Sequence, residues 1–313
     1  LQSQTHGLRG IMDVLHGHGR LDPGQRVERF DGGRVQFEDV AEVFAGALCL
    51  VHLQQLLRKG DRGFDIRGTL EEFRAAVRLR SGKFASLKGL PAVSPMAERM
   101  GLDRDLAVIE MTRARYHADQ ITTARALKRL TRAKEAGLDA TAGVSIHHLT
   151  LNELDIGDYR TFFKVKPPLR SEEDRLASVE AVASGLIDVI SSMHTPQDEE
   201  SKRLPFEEAA SGAVGLETLL PASMRLVHSG GLDLPTLWRA LSLAPSRRLG
   251  LDTGRLAAGA PADLVLFDPD KPFVLDRSTL RSKSKNTPFD EARMEGRVLG
   301  TWVGGRRVFD ASA

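Results

Sequence analysis

Residues 187–206, IDVISSMHTPQDEESKRLPF, run from an apolar segment straight into a loop dense with His, Asp, Glu, Lys and Arg. Ile187, Val189 and Ile190 predict a strand covered on both faces, as in a parallel sheet. Pro196 and the charges after it cannot continue that strand. In a barrel or a doubly wound sheet the loop after such a strand is where ligands are handled, so chemistry is expected here if the chain has any.

The segments on either side alternate. Upstream, a long amphipathic helix is expected over Pro95–Ala114, a strand over Arg115–Ile121 and a helix over Thr122–Gly137, whose final glycine is a helix-stop signal. A strand over Ala140–Leu149, a loop through Pro167-Pro168 and a helix over Ser171–Gly185 follow; SEED at 171–174 reads as a capping-box-like start. The strand Leu186–Met193 comes next. This β-α-β-α-β order implies parallel strands with right-handed crossovers, either a (β/α) barrel or a doubly wound sheet. Leu216–Ser229 and Leu234–Leu249 predict two more helices. After Leu251 apolar residues alternate with turn glycines, which predicts short antiparallel strands. The expected organisation is a poorly readable segment over 1–83, an α/β part over 84–251 and a β module over 252–313.

Composition narrows the class. With 313 residues, 41% hydrophobic and 27% charged, the chain can bury a full core. Its 44 basic and 42 acidic residues are interspersed and give +2, too balanced for a nucleic-acid footprint. A single cysteine, Cys49, excludes an internal disulfide framework and a thiolate metal cluster, and fits a reducing cytoplasm. No apolar run approaches the roughly 20 residues that span a membrane, and residues 1–25 lack a signal-peptide core. The chain opens on Leu rather than Met, which reads as a fragment or a processed product.

Residues 1–83 carry His6, His16, His18 and His52, helical spacing over Val40–Arg58 and Leu70–Leu79, and glycine-rich loops around 7–20 and 60–68. His16-Gly-His18 could point two imidazoles to one side of a strand end and share a metal. Gly17 and Gly19 make a poor strand, so an exposed loop is the reading taken.

From Phe84 onward the chain resembles the dihydroorotases, members of the amidohydrolase superfamily. The resemblance rests on KFASLKGLPAVSPMAE, VSIHHLTLNE, KVKPPLRSEEDR, GLIDVISSMHTPQDEESKRLPFEEAASGAVGLETLLP, AGAPADLVLFDPD and SKSKNTPFDEARMEGRV. It implies a (β/α)₈ barrel with a small β module. It also implies reversible hydrolysis of the cyclic amide of dihydroorotate by one or two zinc ions, with a carboxylate on the last barrel strand shuttling the proton. Position by position, this chain departs from that pattern. The shuttle Asp of Thr-Asp-His-Ala-Pro-His is Met193 in Ser192-Met193-His194-Thr195-Pro196-Gln197, and the second histidine of that motif is Gln197. A metal-binding His three residues after the position of His117 is Gln120, and the substrate-touching Asn of Asn-Pro-Pro-Leu-Arg is Lys166. Lys166, His194 and Gln197 therefore occupy substrate positions, while no catalytic residue is retained. A thioether has no proton to exchange, and an amide is a poor zinc ligand.

His147 and His148 match the His-His-Leu segment and are expected to be hydrogen-bonded strand-end residues rather than ligands. A metal site rebuilt from His194, Asp198, Glu199 and Glu200 is set against a solvated charged loop face, and the loop face is preferred. His16-Gly-His18-Gly-Arg20 echoes the first-strand metal motif. Only 65 residues separate His18 from Phe84, too few for the missing β-α-β units, so a barrel incomplete on its N-terminal side is expected.

The favoured reading is a non-catalytic, cytoplasmic, oligomeric dihydroorotase-like protein without a cofactor. The resemblance implies aspartate transcarbamoylase as its partner; no nucleic acid or membrane is expected. The contrasting reading is an active zinc amidohydrolase with His16 and His18 as ligands; a third is a fragment that folds only in part.

Overall fold

The computed structural model describes residues 79–80, 83–90 and 92–311. His16, His18 and the helix expected over Val40–Arg58 lie outside these residues. So does the helix expected over Leu70–Leu79, except for Leu79, which forms with Arg80 the strand β1 (Leu79–Arg80). β1 pairs in parallel with β2 (Ala92–Val93), and α1 (Lys83–Leu87) lies between them in the chain.

The long helix α2 (Met96–Thr112) forms as its periodicity predicts, burying Leu102, Leu106 and Ile109. Then come β3 (Tyr116–Ala118), α3 (Ala124–Glu135) and β4 (Ala140–Ser145). The strand β5 (Val189–Ser191) follows α5 (Glu172–Ala183). β3, β4 and β5 form one parallel sheet in that order. β4 is its middle strand, and Ala142 and Val144 are fully buried, which accounts for the small and β-branched sequence ATAGVS.

All three expected strands are shorter than their sequence implied: β3 covers Tyr116–Ala118 of the expected Arg115–Ile121, and β5 covers Val189–Ser191 of the expected Leu186–Met193. The apolar run Ala140–Leu149 leaves the sheet at Ser145, whose hydroxyl accepts the His148 backbone N–H and starts α4 (Ile146–Thr150). The hydroxyl cap wins because it satisfies an N–H that the ladder would leave open at the sheet's end. Ser171 caps α5 as its sequence implied, accepting from the Asp174 backbone N–H at 3.2 Å. Asp174 Oδ2 accepts from the Ser171 hydroxyl and Oδ1 from Ala124 N–H, both at 3.0 Å, so one side chain joins the starts of two helices.

Beyond β5 lie α6 (Glu199–Arg203), α7 (Leu219–His228), α8 (Leu234–Trp238) and α9 (Ala244–Leu249). α8 and α9 are continuous through a π-helical turn at Arg239–Leu243. The chain ends in β6 (Leu264–Asp268), β7 (Phe273–Val274), β8 (Arg293–Met294), β9 (Arg297–Val303) and β10 (Arg306–Asp310). β10, β9 and β6 make an antiparallel sheet, and β7 pairs with β8. Among the described residues no helix is long and apolar enough to cross a membrane.

The carboxylate of Glu98, on the first turn of α2, is the most heavily bonded group in this framework. It accepts from the backbone N–H and hydroxyl of both Thr122 and Thr123 and from Arg170 Nη2 at 3.1 Å. The Arg170 and Glu98 side chains are only 6% and 10% exposed, and Thr123 is itself the N-cap of α3. Removing one partner of a buried pair strands the other charge. We therefore expect Glu98→Ala to lower unfolding free energy by about 3–5 kcal/mol in urea titrations, with Glu98→Gln losing less.

Candidate functional site

At the carboxyl end of the parallel sheet, Gln120 follows β3, and Met193 and His194 follow β5. Gln120 lies two residues beyond β3, and both ends of its amide are used. Nε2 donates to Ser191 Oγ on β5 at 3.1 Å, and Oε1 accepts from the Ser145 backbone N–H on β4 at 3.1 Å.

Met193 follows β5 with a left-handed backbone, φ +41°, a conformation unfavourable for a residue with a Cβ. Its carbonyl accepts from Thr195 Oγ1 at 3.0 Å. The His194 Nδ1 accepts from the backbone N–H groups of Gly215 (3.1 Å) and Leu216 (3.4 Å). A nitrogen that accepts is unprotonated, so the proton of the neutral ring is on Nε2, and His194 presents a donor there rather than a lone pair. Gln197 is half-buried, with its backbone N–H bonded to Asn286 Oδ1 at 3.3 Å. Lys166 precedes a cis proline, and burial lowers its pKa from the ordinary lysine value.

The two adjacent histidines differ. His148 is buried, its Nδ1 2.7 Å from Ser145 Oγ and its Nε2 3.0 Å from the Pro167 carbonyl. A carbonyl can only accept, so Nε2 carries the proton and His148 is the hydrogen-bonded structural residue expected. The His147 ring is buried too: it stacks on Phe289 at 6.0 Å and bonds the Val214 backbone, while its Nε2 has no hydrogen-bond partner among the described residues. Burial pushes His147 down to about 4 and His148 down to about 3.

The charges after Pro196 form a surface turn. Asp198 caps α6 by accepting from Ser201 N–H at 2.7 Å, which holds its carboxyl below the usual range. Glu199 and Glu200 pair with Arg203 at 2.7 and 3.1 Å. These carboxylates face solvent, as the charged-loop reading expected.

Several residues that hold this site were not singled out from sequence. Asn286 is 3% exposed and donates to the carbonyls of Thr195 (3.3 Å) and Gly212 (3.1 Å) while accepting from Gln197, so the C-terminal segment clamps the loop after β5. Lys164 and Lys202 are buried in cages of backbone carbonyls. Lys164 Nζ donates to Glu207 and Ala209, and Lys202 Nζ to Thr161 and Ala210. Desolvation, with Lys164 nearby, brings Lys202 down to about 8. Glycines at 143 and 215 allow close backbone approach. A Cβ on Gly215 would stand 2.2 Å from the Ser192 carbonyl oxygen, and one on Gly143 2.6 Å from that of Asp119. The charged composition of Asp198–Arg203 pointed to solvent; nothing in the sequence marked Lys202 as its buried member. A recess of about 580 Å³ lies away from these positions, against Arg225, His228, Phe273 and Glu295.

The described residues do not fit the zinc ions that the resemblance implies. No group of three or more His, Cys, Asp or Glu side chains stands together among them. Gln120 has both amide atoms engaged, His148 is spent on protein partners, and His194 offers a donor. His16 and His18 lie outside the described residues.

Residues 209–309 match the amidohydrolase family. The chain is 40% identical over 246 residues to the dihydroorotase of Anaeromyxobacter dehalogenans, covering 78% of this chain and 55% of that protein. It is 38% identical over 231 residues to the dihydroorotase of Desulforapulum autotrophicum, covering 74% and 54%. The chain thus spans about half the length of the curated relatives it matches. Among solved structures, the L-hydantoinase of Arthrobacter aurescens superposes with a TM-score of 0.69 at 27% identity, over 78% of this chain and 55% of that one. The inactive dihydroorotase-like domain of the Chaetomium thermophilum CAD-like multifunctional protein superposes with a TM-score of 0.50 at 22% identity, over 66% and 54%, a likeness of fold alone.

The two buried histidines give the site a pH signature. Their pKa values lie below the ordinary 6.5, so between that value and the folded ones the unfolded chain binds more protons. Stability is fully present above about pH 6.5 and is lost as pH falls toward 4 and then 3. In urea titrations across this range, His148→Gln, which keeps bonding atoms for Ser145 and Pro167, is expected to flatten part of the fall.

In sequence the chain is similar to the dihydroorotases, and in fold to the amidohydrolases, over slightly more than half the length of each relative.

Proposed function

We propose that this chain is a dihydroorotase-like protein of pyrimidine biosynthesis that has given up turnover and serves, as a cytoplasmic oligomer, as a structural partner of aspartate transcarbamoylase. One observation carries the reading. At the end of β5, where the resemblance requires a carboxylate to shuttle the proton, stands Met193, and a thioether neither takes nor gives a proton at any working pH. Gln120 supports it: an amide spent on Ser145 and Ser191 has replaced the expected ligand histidine. The intact hydrogen-bonded scaffold around these positions supports a role in which shape is used and chemistry is not. The partner rests on the resemblance to the dihydroorotases.

Purified protein supplied with zinc is expected to interconvert dihydroorotate and carbamoyl aspartate no faster than the buffer blank. Zinc-dependent turnover abolished by His194→Ala would establish the active amidohydrolase instead. Size-exclusion runs with and without aspartate transcarbamoylase are expected to show a shared peak only in the mixture; separate elution overturns the structural role.

A further inference from the structure

We infer that Gln120 is a positioning residue whose side-chain amide braces the carboxyl ends of three neighbouring strands, so that this end of the sheet keeps its geometry without a metal ion. The claim goes beyond the proposed function, because it concerns what holds the site rather than whether the site turns over.

The geometry is specific. β3 and β5 are not neighbours; β4 lies between them, and two inter-strand spacings amount to about 9–10 Å. Gln120, leaving β3, nevertheless reaches Ser191 on β5 and bonds the Ser145 N–H of β4 on the way. Ser145 and Ser191 are register partners in the β4–β5 ladder, so the amide closes across the last rung of that pair. Such a reach needs the β3 exit to lean over β4, and two observations show that it does. The Asp119 carbonyl oxygen occupies the space where a Gly143 Cβ would stand, at 2.6 Å, and the Ile121 N–H bonds the Gly143 carbonyl at 2.9 Å. Glycine at 143 and glutamine at 120 thus form one device: the first lets the strands close up, the second fastens them.

Each end of the amide has a partner of the right kind. Ser145 is 1% exposed, and its backbone N–H faces the Gln120 oxygen; without that acceptor a buried donor is orphaned. A histidine at 120 has one donor and one acceptor too, but on a rigid ring of different reach. A metal-bound histidine would brace the strands through an ion; the amide braces them directly.

The test uses the whole chain and reads amide exchange and melting, neither of which depends on activity. In wild-type protein the Ser145 amide is expected to exchange slowly, and the melting temperature to be unchanged by a strong chelator or by added zinc. Gln120→Leu should lower Tm by roughly 2–8 °C, as expected for losing two bonds in a domain of this size. It should also deprotect Ser145 selectively, leaving Ala142 and Val144 protected. Gln120→Glu, whose carboxylate can accept from both Ser145 N–H and Ser191 O–H, should restore Ser145 protection. If Gln120→Leu does not fold, Ser191→Ala serves: it removes only the Nε2 bond and should lower Tm by less, with Ser145 still protected. A chelator that lowers the wild-type Tm, or Ser145 exchange unaffected by Gln120→Leu, overturns the inference. Neither result bears on turnover, which the assays of dihydroorotate conversion decide separately.

Discussion

A carboxylate at 10% exposure is costly to bury unless it is surrounded by donors, and Glu98 is. Its bonds to Thr122, Thr123 and Arg170 join three stretches far apart in sequence: the start of α2, the start of α3 and the segment leading into α5. Because Thr122 and Thr123 directly follow the exit from β3, the carboxylate determines where that exit runs. Everything at the carboxyl end of the sheet is then constrained, since Asp119, Gln120 and Ile121 are the residues that lean over β4. The apolar core supplies most of the driving force for folding, but it is non-directional. The Glu98 cluster supplies direction.

The polar groups near the loop after β5 are largely turned toward the protein itself. A working site leaves donors and acceptors pointing at the place where a ligand will sit. Here Lys164 and Lys202 are enclosed by carbonyls, Asn286 is committed to Thr195, Gly212 and Gln197, and Asp198 caps a helix. An ammonium group in a carbonyl cage satisfies several backbone acceptors at once and ties the loop to residues 161–164, at the cost of desolvating a charge. The depressed pKa of Lys202 is the sign of that cost.

The sequence made the order of helices and strands legible because the signals involved are local. Apolar periodicity marked α2 and β5, Ser171 marked the start of α5, and Gly137 marked the end of α3 with its φ of +72°. Strand ends were less legible. Ile146 and Leu149 are apolar enough to suggest that β4 continues, and only the geometry of the Ser145 hydroxyl ends it. Met193, Gln120, Lys166 and Gln197 are singled out from the motif alone, because residue type decides whether a side chain can carry a proton or hold a metal. What sequence could not show was how substituted side chains are used. That Gln120 spans two strands, that Lys202 rather than a neighbouring charge is buried, and that Asn286 returns from 74 positions beyond Gly212 to bond it are facts of long-range geometry.

A metal ion in a site of the resembling kind performs two separable tasks: it polarises water and substrate, and it draws its ligands together. Met193 bears on the first task alone, since without a proton shuttle the polarised water has no route for its proton. Gln120 bears on the second. Its amide supplies the drawing-together with one donor and one acceptor, needs no deprotonated ligand, and leaves no buried charge to be neutralised. On the proposed reading, the amide lets the fold keep its strength where turnover is given up. The Nε2 of His147 has no hydrogen-bond partner among the described residues, and burial is the main cause of the low pKa of that ring, which the bond to the Val214 backbone offsets only in part.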